Sequence, residues 1–322
     1  MRTLRLAVAV ILAVVAVLVA ARPSAQEAPP GIRGFTPGGA AAQRAVEGRF
    51  RELPDAGSVK AWHRYFTASP HTATSPRTRE IAEYIAAQWK AQGLDEVVIH
   101  RYDVLSSNPR RVRAELVAPT RYVPSLREDP YPEDPDSSHK GISGAWLSFS
   151  ASGDVTAPVV YANSGNPADY DLLRKNGIDP KGKIVIVRYS NPYSYRGFKA
   201  LTAEREGAAA MIVYSDPQED GFTKGDVFPK GPWGPPSHLQ RGGIAYDYLV
   251  PGDPLTPGWA STPGARRIPV SEAVSVPKIM ALPMSHRDIQ PILEQLGGPL
   301  APAAWKGALP IEYRLGGQAA RM

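Results

Sequence analysis

Apolar residues in this chain fall into three patterns. The first is an unbroken run, Leu6 to Ala21, preceded by the basic stretch "MRTLR" and followed by "RPSAQ". The second is helical. In "TREIAEYIAAQWKAQG", Ile81, Ile85 and Trp89 recur every four residues with Ala82 and Ala86 beside them, and Gly93 stands where a helix-ending C′ residue belongs. "SVKAWHRYF" places Val59, Trp62 and Phe66 on one helical face and predicts Ser58 as its N-cap. The third is strand-like. "LDEVVIHRYDVL" reads as a strand, "RVRAELVAP" alternates polar and apolar, and "APVVYAN" and "GKIVIVRYS" are short apolar runs bounded by turns.

Further on, a helix is predicted from Lys199 to Glu206, a strand from Ala209 to Tyr214, and a late helix in "MSHRDIQPILEQLGG". The segments "REDPYPEDPDSSHKG" and 216–242 are Pro-rich and polar, as surface loops are. Thus helix, helix and strand open an α/β unit, and the texture changes near residue 106 to short strands with few helices. That second part predicts a β-sandwich or barrel with flanking helices. No internal repeat is visible.

Composition refines this picture. The 322 residues suffice for one large domain or two ordinary ones. The 33 Pro and 29 Gly lie mostly outside the periodic segments and imply many fixed turns. The N-terminal run has the three-part layout of a secretory signal peptide, cleaved near Ala25. This predicts an exported protein, periplasmic or secreted, which stays membrane-anchored if the signal is uncleaved. Residues 26–41, "QEAPPGIRGFTPGGAA", read as a Pro/Gly/Ala-rich tether. Removing residues 1–25 takes away Arg2, Arg5 and Arg22, so the formal charge falls from +6 to +3. The remaining arginines are scattered, which argues against a nucleic-acid partner. With no Cys, disulfides and thiolate zinc sites are excluded.

Candidate chemistry is sparse. None of the six histidines shares metal-ligand spacing with another, and no H-E-x-x-H, G-x-S-x-G or Walker loop occurs. His286-Arg287-Asp288 is better explained as a helix N-terminus, with Ser285 as cap and Asp288 at the positive end of the dipole, than as a catalytic or metal element. His71, in the loop "ASPHTATSPRT", reads as structural or exposed. No catalytic residue is assigned.

The ordered set "PHTATS", "QWKAQGLDEVVIHRYDVL", "GKIVIVRY", "YRG", "GAAAMIVYSDP", "LQRGG", "GDPLTPGW" and "ILEQLGG" resembles the glutamate carboxypeptidase II (folate hydrolase) family, from about Ala42 to the C-terminus. In that family a zinc peptidase domain is interrupted by a protease-associated (PA) domain. The resemblance implies a peptidase-domain fragment at 42–105 and a PA domain at 106–322, with the zinc ligands and catalytic Glu in sequence that follows. The chain alone is then expected to be inactive. It also implies that Tyr195 and Arg196 bind a substrate's terminal carboxylate, the Arg as a bidentate fork. The position after Gln240-Arg241-Gly242 is Gly243 here and Asn in the family, which removes a donor from that pocket.

"GDPLTPGW" resembles a family segment whose main-chain carbonyls hold calcium, here those of Thr256 and Trp259. Two neutral carbonyls are an incomplete site for an ion that takes 6–8 oxygens. The expected partners are a peptide with an acidic C-terminus and the missing peptidase segment, with a homodimer only where the C-terminal domain is present. The alternative is a non-catalytic, transferrin-receptor-like binding module. In either case residues 42–105 would lack the sheet they cover. At ~25 cal/mol per Å², an uncovered face of several hundred Å² forgoes on the order of 10 kcal/mol, so this segment is expected to be mobile or to find another partner.

Overall fold

The computed structural model describes residues 31–139, 142 and 144–322. The expected signal peptide and the first part of the tether lie outside the described residues. Compact packing divides the chain into two units at Ala68/Ser69.

Among the described residues, the first unit holds two helices, α1 (Pro37–Glu52) and α2 (Ala56–Phe66). The tether reading therefore ends at Thr36. The Thr36 hydroxyl accepts from the Gly39 N–H at 3.1 Å, and Pro37 supplies a helical φ at the first position, so "PGGAA" folds as helix despite its composition. Ser58 is not the cap of α2. Asp55 is, accepting from the Ser58 N–H at 2.7 Å, and the helix begins three residues earlier than expected.

In the second unit, α3 (Pro76–Ala91) is capped by Ser75. It ends as the sequence predicts: Gly93 N–H bonds to Lys90 O and Leu94 N–H to Trp89 O, the paired bonds of a Schellman motif. No residue of α3 is fully buried, and Trp89 is about half exposed. The expected strand at 94–105 is corrected. The segment joins no ladder, and Leu94, Val98, Ile99, Tyr102 and Val104 are all exposed. A strand requires a neighbour, and none of the described residues supplies one. Its end is fastened, where Asp103 N–H bonds to Ser261 O (2.8 Å) and Leu105 N–H to the Asp253 carboxylate (2.6 Å).

The centre is an α/β arrangement. A two-residue strand β1 (Leu147–Ser148) is followed by β2 (Pro158–Tyr161), α4 (Pro167–Lys175), β3 (Ile184–Arg188), α5 (Arg196–Arg205), β4 (Ala210–Tyr214), β5 (Gly242–Gly243), β6 (Met280–Met284), α6 (His286–Leu293) and β7 (Gly316–Arg321). The main sheet runs β6-β4-β3-β2-β7. Its first four strands are parallel, and β7 lies antiparallel on β2. Every residue of β3 and β4 is buried, as expected of parallel strands covered on both faces. The loop after β2 leads into α4 through a capping box: Asn166 accepts from Asp169 N–H, and Asp169 from Asn166 N–H. Pro283 is tolerated in β6 because that strand is at the sheet edge. The second sheet pairs β1 with β5, Leu147 opposite Gly242 and Ser148 opposite Gly243.

The core is rich in tyrosine. Tyr161, Tyr170, Tyr214, Tyr246 and Tyr313 are all fully buried or nearly so. The Asp216 carboxylate, wholly buried, organises several of them. It accepts from Tyr214 (3.0 Å) and Tyr313 (2.9 Å) hydroxyls and from the N–H groups of Gln218 (2.9 Å) and Ala308 (2.8 Å). Four donors around one anion satisfy it as a buried charge requires.

Candidate functional site

The start of α5 gathers the chemistry. Tyr195 is its N-cap and Arg196 its first residue, and no side chain caps the helix. The Tyr195 ring folds back over the first turn. A Cβ at Gly197 would stand 2.5 Å from it, so glycine is needed there for close approach. The Tyr195 hydroxyl reaches Ala245 O (3.2 Å) and the Asp247 carboxylate (3.4 Å). Burial, then the charge of Asp247, raises its pKa. Around it Phe198 and Tyr248 stack edge-on, at 5.2 and 6.0 Å between ring centroids, and both are partly exposed.

Arg196 is half-buried. Its Nε–H donates to the Tyr189 hydroxyl at 3.1 Å, and the guanidinium carbon lies 5.6 Å from the centre of the Tyr189 ring. Among the described residues no carboxylate pairs with its two terminal nitrogens. Gly243, next to Gly242 on β5, leaves open space: a Cβ there would meet only Ser148 Cβ, at 4.0 Å.

Lys199, one turn into α5, was missed by sequence reasoning. It is fully buried and donates through Nζ to Ser164 O (2.7 Å) and to Tyr193 O, beside the Tyr193 ring. Burial lowers its pKa to about 7, with Arg188 acting in the same direction and Asp169 opposing. Nothing in a single Lys near a helix start signals this; the loops carrying Ser164 and Tyr193 enclose it.

The calcium-like segment is a structural clasp. Asp253, with a 2% exposed side chain, accepts from the N–H groups of Leu105 and Leu255 and pairs with Arg267 at 3.0 Å. The Thr256 carbonyl accepts from Trp259 N–H at 3.2 Å, and the Trp259 indole donates to Arg266 O at 2.7 Å. Asp253 is thus committed to backbone and Arg267. Thr256 and Trp259 offer carbonyls alone, which is too small a donor set for calcium. No hydrogen bond among the described residues links this pair to Tyr195 and Arg196.

The reading of His286-Arg287-Asp288 holds. Ser285 Oγ accepts from Asp288 N–H at 3.1 Å, and the buried Asp288 carboxylate accepts from Ser125 and Leu126 N–H groups. His286 packs edge-on against Phe222, and burial lowers its pKa. His71 is exposed, with Nδ1 3.4 Å from Ser69 O. One His cluster was not foreseen. His238 sits between Glu128 (3.1 Å) and Asp220 (3.5 Å), and Glu128 also binds Arg241. Burial pushes Glu128 up, but hydrogen bonds from His238, Leu239 N–H and Arg241 outweigh it and hold the carboxyl at about 2. Among the described residues no group of three or more His, Cys, Asp or Glu could hold a metal ion.

Residues 155–244 match the PA domain family. The chain is 32% identical over 272 residues to a glutamate carboxypeptidase 2 homolog of Caenorhabditis elegans, covering 80% of this chain and 35% of that protein. It is 33% identical to the aminopeptidase NAALADL1 of Rattus norvegicus (81% and 36%), and 38% identical to a probable glutamate carboxypeptidase of Arthroderma benhamiae (80% and 36%). The chain therefore spans about a third of the length of these relatives. A solved aminopeptidase from Aneurinibacillus sp. strain AM-1 is a remote likeness, 18% identical over 71% of this chain and 38% of that one, with a TM-score of 0.36. Over about four-fifths of its length, this chain is a relative of the glutamate carboxypeptidase family and carries a PA domain.

Proposed function

We propose that this chain is the N-terminal portion of an exported, glutamate-carboxypeptidase-like zinc metallopeptidase, contributing the pocket for a substrate's terminal carboxylate. The boundaries 42–105 for a peptidase-domain fragment and 106–322 for the PA domain belong to this reading. One observation carries it. Arg196 is anchored through Nε and presents its terminal nitrogens without a carboxylate partner among the described residues, beside an uncapped helix start. A carboxylate docked there would gain a two-pronged, charge-assisted contact and the favourable end of the helix dipole. Tyr195 forms the wall of that pocket.

The described residues do not fit a zinc centre, since no cluster of suitable ligands occurs among them. In this reading the zinc ions, which polarise the scissile carbonyl and activate water in such enzymes, are held by polypeptide outside this chain. The exposed apolar residues of 94–104 and Trp89 support a covering partner of that kind. The carbonyls of Thr256 and Trp259 would contribute to a calcium site only when that partner adds carboxylates.

Calorimetry of the 322-residue protein against a short peptide ending in Glu, and against its C-terminal amide, tests the pocket. Binding of the free acid, absent for the amide and weakened about tenfold or more in Arg196→Ala, is expected. Equal binding of acid and amide would sink it. The purified chain with added zinc should hydrolyse no peptide, and measurable zinc-dependent turnover would overturn the placement of the metal centre elsewhere.

A further inference from the structure

We propose that Tyr189 and Gly242 are positioning residues for Arg196, fixing its guanidinium so that both terminal nitrogens face the incoming carboxylate; this rests on the carboxylate-pocket reading above. The Tyr189 hydroxyl donates its one hydrogen to Gln240 O at 3.1 Å. Its lone pairs are therefore left to accept from Arg196 Nε–H, also at 3.1 Å, while the Tyr189 ring lies against the guanidinium. Tyr189 is itself held firmly: it is buried, and its N–H bonds to Tyr214 O at the end of β4.

Gly242 completes the cradle. A Cβ there would stand 2.2 Å from Arg196 Nη1, 2.6 Å from Cζ and 3.1 Å from Nη2, so the guanidinium lies directly on the glycine backbone. The φ of +153° at Gly242 is a further reason for glycine. Its place is set by β5, which pairs with β1 through Leu147 and Ser148 and continues with Ile244 N–H to Ser148 O at 3.0 Å. Arginine has five N–H donors in a rigid fork. With Nε spent on Tyr189 and the plane fixed by Gly242, the four remaining donors keep one orientation before any ligand arrives. A carboxylate then binds without ordering a long side chain, so the affinity is not reduced by that ordering.

The positioning role predicts two signatures. In nitrogen-15 NMR of the full chain, Arg196 should give a sharp, slowly exchanging Nε–H resonance, lost in Tyr189→Phe, which keeps the ring and removes the hydroxyl. In calorimetry with a peptide ending in Glu, Tyr189→Phe should bind about fivefold more weakly while still melting as a folded protein, its melt lowered only by the loss of the hydroxyl's two hydrogen bonds. Gly242→Ala should weaken binding further in the parent chain but add nothing in an Arg196→Lys background, where the planar group it displaces is gone. Equal affinity of wild type and Tyr189→Phe, or a fast-exchanging Arg196 Nε–H in wild type, overturns the positioning role. Failure of the wild type to bind any carboxylate while the Nε–H stays protected overturns the carboxylate reading on which it rests.

Discussion

Replacing Lys199 with methionine removes a titrating charge from the interior while keeping an unbranched apolar stem. The folded amine titrates at about 7 against a normal value of 10.5. A shift of that size corresponds to about 5 kcal/mol at 1.36 kcal/mol per unit. The sign follows from proton counting. Between those two values the unfolded lysine keeps its proton and the folded one has lost it, so the unfolded state binds more protons and stability rises with pH. The Lys199→Met variant has no such slope. It leaves the Ser164 and Tyr193 carbonyls without a donor, but that loss is the same at every pH and drops out of the comparison. From about pH 7 to about pH 9 the wild type should therefore gain about 2 kcal/mol relative to Lys199→Met, after allowing for half-protonation near the lower limit. Urea unfolding followed by tryptophan fluorescence at intervals across this range measures the difference, and other titrating groups cancel between the two proteins. A difference that stays flat would mean that Lys199 keeps its proton, and that Asp169 fully offsets the burial of the charge.

Other outcomes follow from the same interior and surface. Asp216→Asn should destabilise by about 3 kcal/mol in urea melts, since an amide cannot accept from all four donors that surround this carboxylate. Glu128 contributes stability that is full above about pH 4.5 and fades as pH falls toward about 2, so Glu128→Gln should flatten the acid limb of the thermal-melting profile in that window. Gly243→Asn should fold normally, because the space beside Ser148 is open, and should tighten binding of a Glu-terminated peptide by roughly tenfold in calorimetry. Calcium at about 1 mM should leave the melting temperature of this chain unchanged, since Thr256 and Trp259 supply too few oxygens; a clear upward shift would disprove that reading.

Local rules settled much of this molecule. The spacing of Ile81, Ile85 and Trp89 and the closing Gly93 mark α3 and its end, because caps and periodicity act within a turn or two, while its start at Ser75-Pro76 was seen only in the structure. Ser285 and Asp288 define the start of α6 for the same reason. The buried runs of β3 and β4 were legible because parallel strands covered on both faces need unbroken apolar sequence. Other features depended on distant partners. Residues 94–105 have a strand's composition and no ladder, since pairing is decided by a neighbour and not by the strand itself. The sequence marked Tyr195 and Arg196 by resemblance alone. Only the fold brings Tyr189 from the end of β3 and Gly242 from β5 against that guanidinium, and only enclosure by loops far apart in the chain buries Lys199. Helix ends and strand burial are written locally because their determinants lie within a few residues; the orientation of a charge and the value of its pKa are set by groups that meet only when the chain has folded.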